Sequence, residues 1–428
     1  MDILADISES FGDEGIDKEN NVGRIIPITI LSGFLGAGKT TLLRYILSQT
    51  TGVKIGVIVN DVAGVNIDAK RVKEVTVDRD NIETVQMENG CACCSASDDL
   101  FKSINKLLGL SAFDHIVVEC SGVAEPKRLW ALLDDTLEEE GLDKKVVLSQ
   151  LVTVVDVSLF FDIFKKTNPQ LEEEPTQRFV SDLLAEQIES ADVIVINKLD
   201  MIDATGLDQV ALCVAEMAPT AHIVQTEHGK IDIDLIFKPG GNEEASNIAA
   251  MTVDEEHSML ISRLKARNKL KKQARDDESQ PTKRRKQETV RVSSFVYQRR
   301  LPFHPKQFAK LMISDRPDKF KEHVLRCKGY CWLANHCDMA MYYSQAGNHS
   351  SLTPIGAWWV HIPRSQWPSE QMPKEIMKDF QDPFGDRRQE LVFIGIGMDQ
   401  QYIEEQLDAC LFSLEDTNAL LAPHKPEA

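Results

Sequence analysis

Positive charge is scarce in this chain. Its 428 residues carry 48 Lys and Arg against 67 Asp and Glu, a net charge of −19. Such an acidic surface disfavours nucleic-acid partners and tolerates divalent cations. Long apolar runs are missing as well. No stretch of 18 uncharged apolar residues occurs, so no transmembrane helix and no membrane partner are expected. The first twenty residues hold seven acids and one lysine. They show no basic n-region and no apolar h-region, so no secretory signal is expected. These absences point to a reducing, cytoplasmic setting. Cysteines there serve as ligands, catalysts or core filler rather than as disulfides.

What is present is chain enough for two to three domains, with the 43% apolar content of a globular protein. Residues 1–24 read as a flexible acidic tail. From residue 25 to about 240, apolar runs alternate with helical patterns. The runs are RIIPITIL (24–31), KIGVIVN (54–60), HIVVEC (115–120), LSQLVTVVD (148–156) and DVIVIN (192–197). Near-continuous β-branched runs predict strands buried on both faces, in a parallel α/β sheet with helices on both sides. Residues 241–290 are polar and charged and read as a linker, with a helix around 253–275. Residues 261–300 hold 14 Lys and Arg against 4 Asp and Glu. Residues 291–415 predict a smaller α+β domain, with strands near VSSFVYQ, HVLRCKGYCWLA, MAMYYSQAG, AWWVHI and ELVFIGIG. Its helices are expected at HPKQFAKLMI and DQQYIEEQLDACL. Residues 416–428 read as a tail.

The stretch Gly33-Phe34-Leu35-Gly36-Ala37-Gly38-Lys39-Thr40 matches the P-loop pattern G-x-x-x-x-G-K-[ST]. It follows a strand and opens the helix TTLLRYIL, the context this pattern requires. Gly33, Gly36 and Gly38 let the backbone curl so that N–H groups face phosphate. The helix start, with Thr40 and Thr41, adds partial positive charge. Lys39 is expected on the terminal phosphates and Thr40 on Mg²⁺. The strand Ile116-Val117-Val118 ends in Glu119, the shape of a Walker B acid, and the Gly122 N–H is placed to sense the γ-phosphate. Asn197-Lys198-Leu199-Asp200 closes another strand. The Asp200 carboxylate can accept from guanine N1–H and N2–H together, which adenine cannot offer, and the Lys198 stem can cover the ring. GTP is therefore expected over ATP.

Between the P-loop and the Glu119 strand lies ENGCACCS, residues 88–95. Cys91, Cys93 and Cys94 supply three soft thiolates suited to Zn²⁺ or a neighbouring transition metal. Three ligands leave a fourth position open, which suits exchange. Adjacent Cys93 and Cys94 side chains point apart in extended backbone, and only a turn would converge them. Core packing and a redox role are the alternatives.

Together, GFLGAGKTTLL, ENGCACC, ECSGVAEP and NKLD resemble the CobW-like P-loop GTPases. KGYCWLA, SQAG and GDRRQELVFIGIG are similar to the CobW C-terminal domain, so the resemblance spans about residues 25–415. It implies GTP hydrolysis, Mg²⁺, a C-x-C-C metal site that is often zinc, and delivery of the metal to a client metalloprotein. It adds Asp68, in a switch-like Ile-Asp pair, to Lys39 and Glu119 as a catalytic candidate. The chain departs from the family at Asn60-Asp61-Val62-Ala63, where Asn-Glu-Phe-Gly is common. It also lacks the His-rich loop and the Cys-Pro docking motif of the eukaryotic zinc-transferase members. A regulatory GTPase with a structural metal site is the alternative reading, as is insertion of cobalt or iron. A homodimer is an open alternative to a monomer.

Other conspicuous residues have simpler readings. Cys327, Cys331 and Cys337 are expected on one face of a long strand beside His336, as core rather than a second metal site. Cys120, Cys213 and Cys410 read as core, and His304 as a cap or surface residue before Pro305. Lys283-Arg284-Arg285-Lys286 reads as solvated linker, with a nuclear import signal as the alternative. Trp358 and Trp359 read as packing or partner-facing.

Overall fold

The computed structural model describes residues 25–50, 52–59, 82–86, 95–165, 179–237, 252, 254–263, 265–266, 292–367 and 374–422. The apolar runs form strands β1 (Ile26–Ser32), β2 (Ile55–Val59), β3 (Ile82–Gln86), β4 (His115–Glu119), β5 (Val146–Asp156), β6 (Val193–Asn197) and β7 (His222–Gln225). They pair in the order β3-β2-β4-β1-β5-β6-β7, every pairing parallel.

Successive side chains on a strand face opposite ways, and here both ways lead to a core. Helices α1 (Lys39–Gln49), α2 (Ser95–Leu110) and α3 (Pro126–Glu139) supply the covers. Ile28, Ile30, Ile116 and Val118 pack with Leu100, Ile104 and Leu107 of α2 and with Trp130 of α3. Leu31 and Val117 pack with Leu42, Leu43 and Ile46 of α1. Both faces of these central strands are covered, so they carry little polar alternation. β1 sits centrally. The chain leaves it toward β2 on one side and later crosses to β5 on the other, which opens a crevice at the carboxyl ends of the strands.

The second sheet is antiparallel. It comprises β8 (Val292–Arg299), β9 (Val324–Leu333), β10 (His336–Ala346), β11 (His349–Ala357) and β12 (Gln389–Ile396), in the order β11-β10-β9-β12-β8. One face carries an aromatic core of Phe303, Phe308, Phe320, Tyr343 and Phe393. The other face meets the first domain through α4 (Phe160–Lys165), α5 (Val180–Glu189), α6 (Ala204–Met217) and a helix over 254–263. Leu325, Val392 and Ile394 of this sheet share one cluster with Phe164, Leu184, Ile188, Val210, Val214, Leu260 and Ile261.

Four expectations need correction. AWWVHI is not a strand: β11 ends at Ala357, and Trp359–His361 form a 3₁₀ turn. The Asp386 carboxylate accepts from the N–H groups of Trp359 and Val360, each at 2.9 Å, which removes these donors from strand pairing. Cys337 does not share a strand with Cys327 and Cys331, because a turn at 334–335 places it on β10. The helix expected around 253–275 is present over 254–263, but it buries His257, Leu260 and Ile261 at helical spacing, so this part is packed rather than solvated linker. The stretch read as a tail holds a helix, Leu414–Leu421. Ser413 caps it, accepting from Asp416 N, and Thr417 is buried.

Candidate functional site

The crevice is lined by the loops that follow β1, β4, β5 and β6. The first is the P-loop. Gly33, Gly36 and Gly38 all have positive φ, at 135°, 73° and 108°. A side chain at Gly33 would place its Cβ 2.3 Å from the Val154 carbonyl oxygen, and one at Gly38 would lie 2.4 Å from Asn197 Nδ2. The loop is therefore tied to two neighbouring strand ends. Gly38 caps α1, whose first residue is Lys39. The buried Lys39 ammonium donates to the carbonyls of Gly33 at 2.8 Å and Phe34 at 3.2 Å. It thus lies folded across the loop that would hold phosphate.

Thr40 Oγ1 donates to Glu119 Oε1 at 2.5 Å. That contact brings a P-loop hydroxyl to a carboxylate that is 3% exposed at the end of β4. Hydroxyl and carboxylate oxygens are the hard donors Mg²⁺ takes, so these residues fit that ion. Gly122 lies against the P-loop: a Cβ there would sit 2.6 Å from Leu35 N. Thr41 is exposed at the start of α1.

Asn197 holds the crevice together. Its Nδ2 donates to Ala37 O at 3.0 Å, and its Oδ1 accepts from Gly229 N at 3.1 Å. Lys198 adopts φ 67° and pairs with Asp156 Oδ2 at 2.7 Å. Asp200 is exposed, in the 3₁₀ turn Leu199–Met201. The candidates Gly33, Gly36, Gly38, Lys39, Thr40, Thr41, Glu119, Gly122, Asn197, Lys198 and Asp200 thus sit on the crevice loops. Asp68, Cys91, Cys93 and Cys94 lie outside the described residues, as do Asn60-Asp61-Val62-Ala63 and Lys283-Arg284-Arg285-Lys286.

The structure adds residues that the motifs did not name. Asp156 fixes Lys198, and its one sequence signal is an acid closing an apolar strand, the same shape as Glu119. Gln187 is fully buried and donates to the carbonyls of Gly122 and Ala124 at 3.3 and 3.2 Å. Nothing in the local sequence marks it. The described cysteines behave as core. Burial pushes the Cys120 and Cys213 thiols up to about 12 and raises Cys327 and Cys331 as well. None of these is a ready thiolate. Among the described residues, no group of three His, Cys, Asp or Glu is arranged to hold a metal. His304 packs against Phe412 in a tilted ring contact, with centroids 3.9 Å apart. Trp358 packs in a core with Tyr330 and Phe384.

A P-loop, a carboxylate-closed strand and an N-K-x-D turn now converge on one crevice, and a second antiparallel domain packs behind it. Family comparison matches both parts. Residues 27–225 fit the CobW/HypB/UreG, nucleotide-binding domain, and residues 292–411 fit the cobalamin synthesis protein cobW C-terminal domain. The chain belongs to the CobW family.

Within that family it is 30% identical over 414 residues to the zinc-regulated GTPase metalloprotein activator 1 of Dictyostelium discoideum, covering 92% of this chain and 81% of the relative. It is 36% identical over 203 residues to the zinc chaperone CobW of a Sinorhizobium species, covering 44% of this chain and 55% of that one. The solved Zn(II)-bound YjiA GTPase from E. coli aligns over 91% of this chain and 100% of its own, at 20% identity and a TM-score of 0.36. No helix among the described residues is long and apolar enough to cross a membrane.

Proposed function

We propose that this CobW-family chain is a GTP-hydrolysing metallochaperone that carries zinc to client metalloproteins in the cytoplasm. The observation that carries the reading is the Thr40–Glu119 contact at 2.5 Å, directly below a P-loop whose lysine is buried across it. The names of its relatives, zinc-regulated GTPase and zinc chaperone, support it.

In this reading the P-loop N–H groups and Lys39 hold the phosphates, and Lys39 exchanges its two loop carbonyls for phosphate oxygens. Thr40 and Glu119 would hold Mg²⁺, which when bound neutralises charge on the β- and γ-phosphates. Gly122, packed on Leu35, reports on the γ-phosphate. Asp200 selects guanine and Lys198 flanks the ring, with Asp156 fixing its place. Asp68 completes the switch. Zinc is the cargo, taken by Cys91, Cys93 and Cys94.

GTP turnover by the purified chain tests the reading, with ATP as competitor and Lys39→Ala as control. Turnover is expected with GTP, unaffected by tenfold excess ATP and lost in the variant. Hydrolysis that persists in Lys39→Ala would contradict it.

A further inference from the structure

Helix α5 touches two places that sequence separates widely. Gln187 donates to the carbonyls of Gly122 and Ala124, in the turn that lies against P-loop residue Leu35. Two residues on, Glu189 faces the other domain. Positions i and i+2 on an α-helix differ by about 200°, so the two side chains leave nearly opposite sides of one rod. Glu189 Oε1 accepts from Arg326 Nε at 2.7 Å, and Oε2 accepts from Arg326 Nη2 at 3.0 Å and Lys328 Nζ at 3.0 Å. Arg326 and Lys328 lie on β9, and Arg326 continues to Ser344 Oγ at 2.8 Å and to Gln345 O at 3.1 Å on β10. The start of α5 is tied to the same sheet. Ser181 Oγ donates to Ala346 O at 2.9 Å, and Asp182 pairs with His349.

We propose that α5 is a positioning rod that couples the γ-phosphate-facing turn at Gly122 to the C-terminal sheet, with Gln187 as its input and Glu189–Arg326 as its output. This rests on the GTP reading above. The rod is short, most of it is buried, and it is hydrogen-bonded at both ends. A shift of the Gly122 turn therefore moves β9 and β10 rather than dissipating in side-chain rotation. Nucleotide state thereby reaches a domain that, among the described residues, contributes none to the crevice. The exchange is reciprocal: whatever docks on the C-terminal sheet and shifts it changes nucleotide affinity by the same factor.

The test is hydrogen exchange of the full chain with GDP and with a non-hydrolysable GTP analogue. The expected result is a nucleotide-dependent change of at least about threefold in exchange rate at residues 326–328 and 346–349, together with protection at 33–40. In Arg326→Gln, where Glu189 keeps Lys328 as partner, the P-loop protection should persist while the change at 346–349 falls to under half. Arg326→Lys should restore part of it. Protection at 33–40 with no nucleotide-dependent change in β9 and β10 of the unmodified chain would overturn the coupling and leave the GTP reading standing. No protection at 33–40 would overturn both. The wild-type comparison decides even if a variant fails to fold.

Discussion

At the scale of single residues, the crevice has little tolerance. Gly38→Ala would put a Cβ into Asn197 Nδ2, at a φ of 108° that a side chain resists. We expect guanine-nucleotide binding to weaken by more than tenfold, above about 1.4 kcal/mol, with helix content unchanged; calorimetric titration measures it. Asp156→Asn leaves Lys198 without its ion pair. A partly exposed pair of this kind is worth roughly 1 kcal/mol, so a several-fold loss of GTP affinity is expected, with the metal requirement intact. An unchanged affinity would remove Asp156 from the site. The motif residues are legible in sequence because the P-loop and N-K-x-D turns are built from contiguous residues. Asp156, Gln187 and Glu189 are not, because their partners lie 42, 65 and 137 residues away.

At the scale of elements, strands in the centre of the parallel sheet are readable and its edges are not. β1, β4, β5 and β6 are covered on both faces and spell continuous apolar runs. β3 (IETVQ) and β7 (HIVQ) are the outermost strands among the described residues, and polar letters are tolerated there. The Trp359–His361 turn is hidden from local sequence because its directing carboxylate, Asp386, comes more than twenty residues later. Between elements, the Glu189 clamp is a buried polar tie. Burial alone would raise the Glu189 carboxyl, but Arg326 and Lys328 outweigh it and hold it at about 2. Glu189→Ala would leave Arg326 and Lys328 buried without their carboxylate. About 3–5 kcal/mol of stability should be lost, as read by equilibrium urea unfolding. A loss under about 1 kcal/mol would show that the clamp contributes little.

For the whole molecule, acid should act in two steps. Burial lowers the His115 imidazole to about 4, where it is hydrogen-bonded to Thr29. The unfolded chain takes up that proton near pH 6.5 and the native chain does not. Stability is therefore complete above pH 6.5 and falls as pH drops from 6.5 to 4, by at most about 1.4 kcal/mol per pH unit for this group. Glu189 and Glu390, both held at about 2, add a further loss as pH drops from about 4.5 toward 2. Unfolding free energies at pH 7.5, 6, 5 and 4 should trace the first step, and His115→Gln should reduce its slope without abolishing it, because burial lowers His257 and His361 in the same direction. Two domains are visible from the break in pattern after residue 240. Their shared core is not, because the helix expected around 253–275, which carries Leu260 and Ile261, lies in a stretch whose charge reads as solvated linker.

We propose that the nucleotide in the crevice governs zinc binding by Cys91, Cys93 and Cys94. Zinc affinity, measured by chelator competition on the full chain with GDP and then with a non-hydrolysable GTP analogue, tests it most directly. A difference of at least tenfold between the two states, about 1.4 kcal/mol, is the result predicted. Equal affinities in both states would contradict it, because hydrolysis could then move no metal.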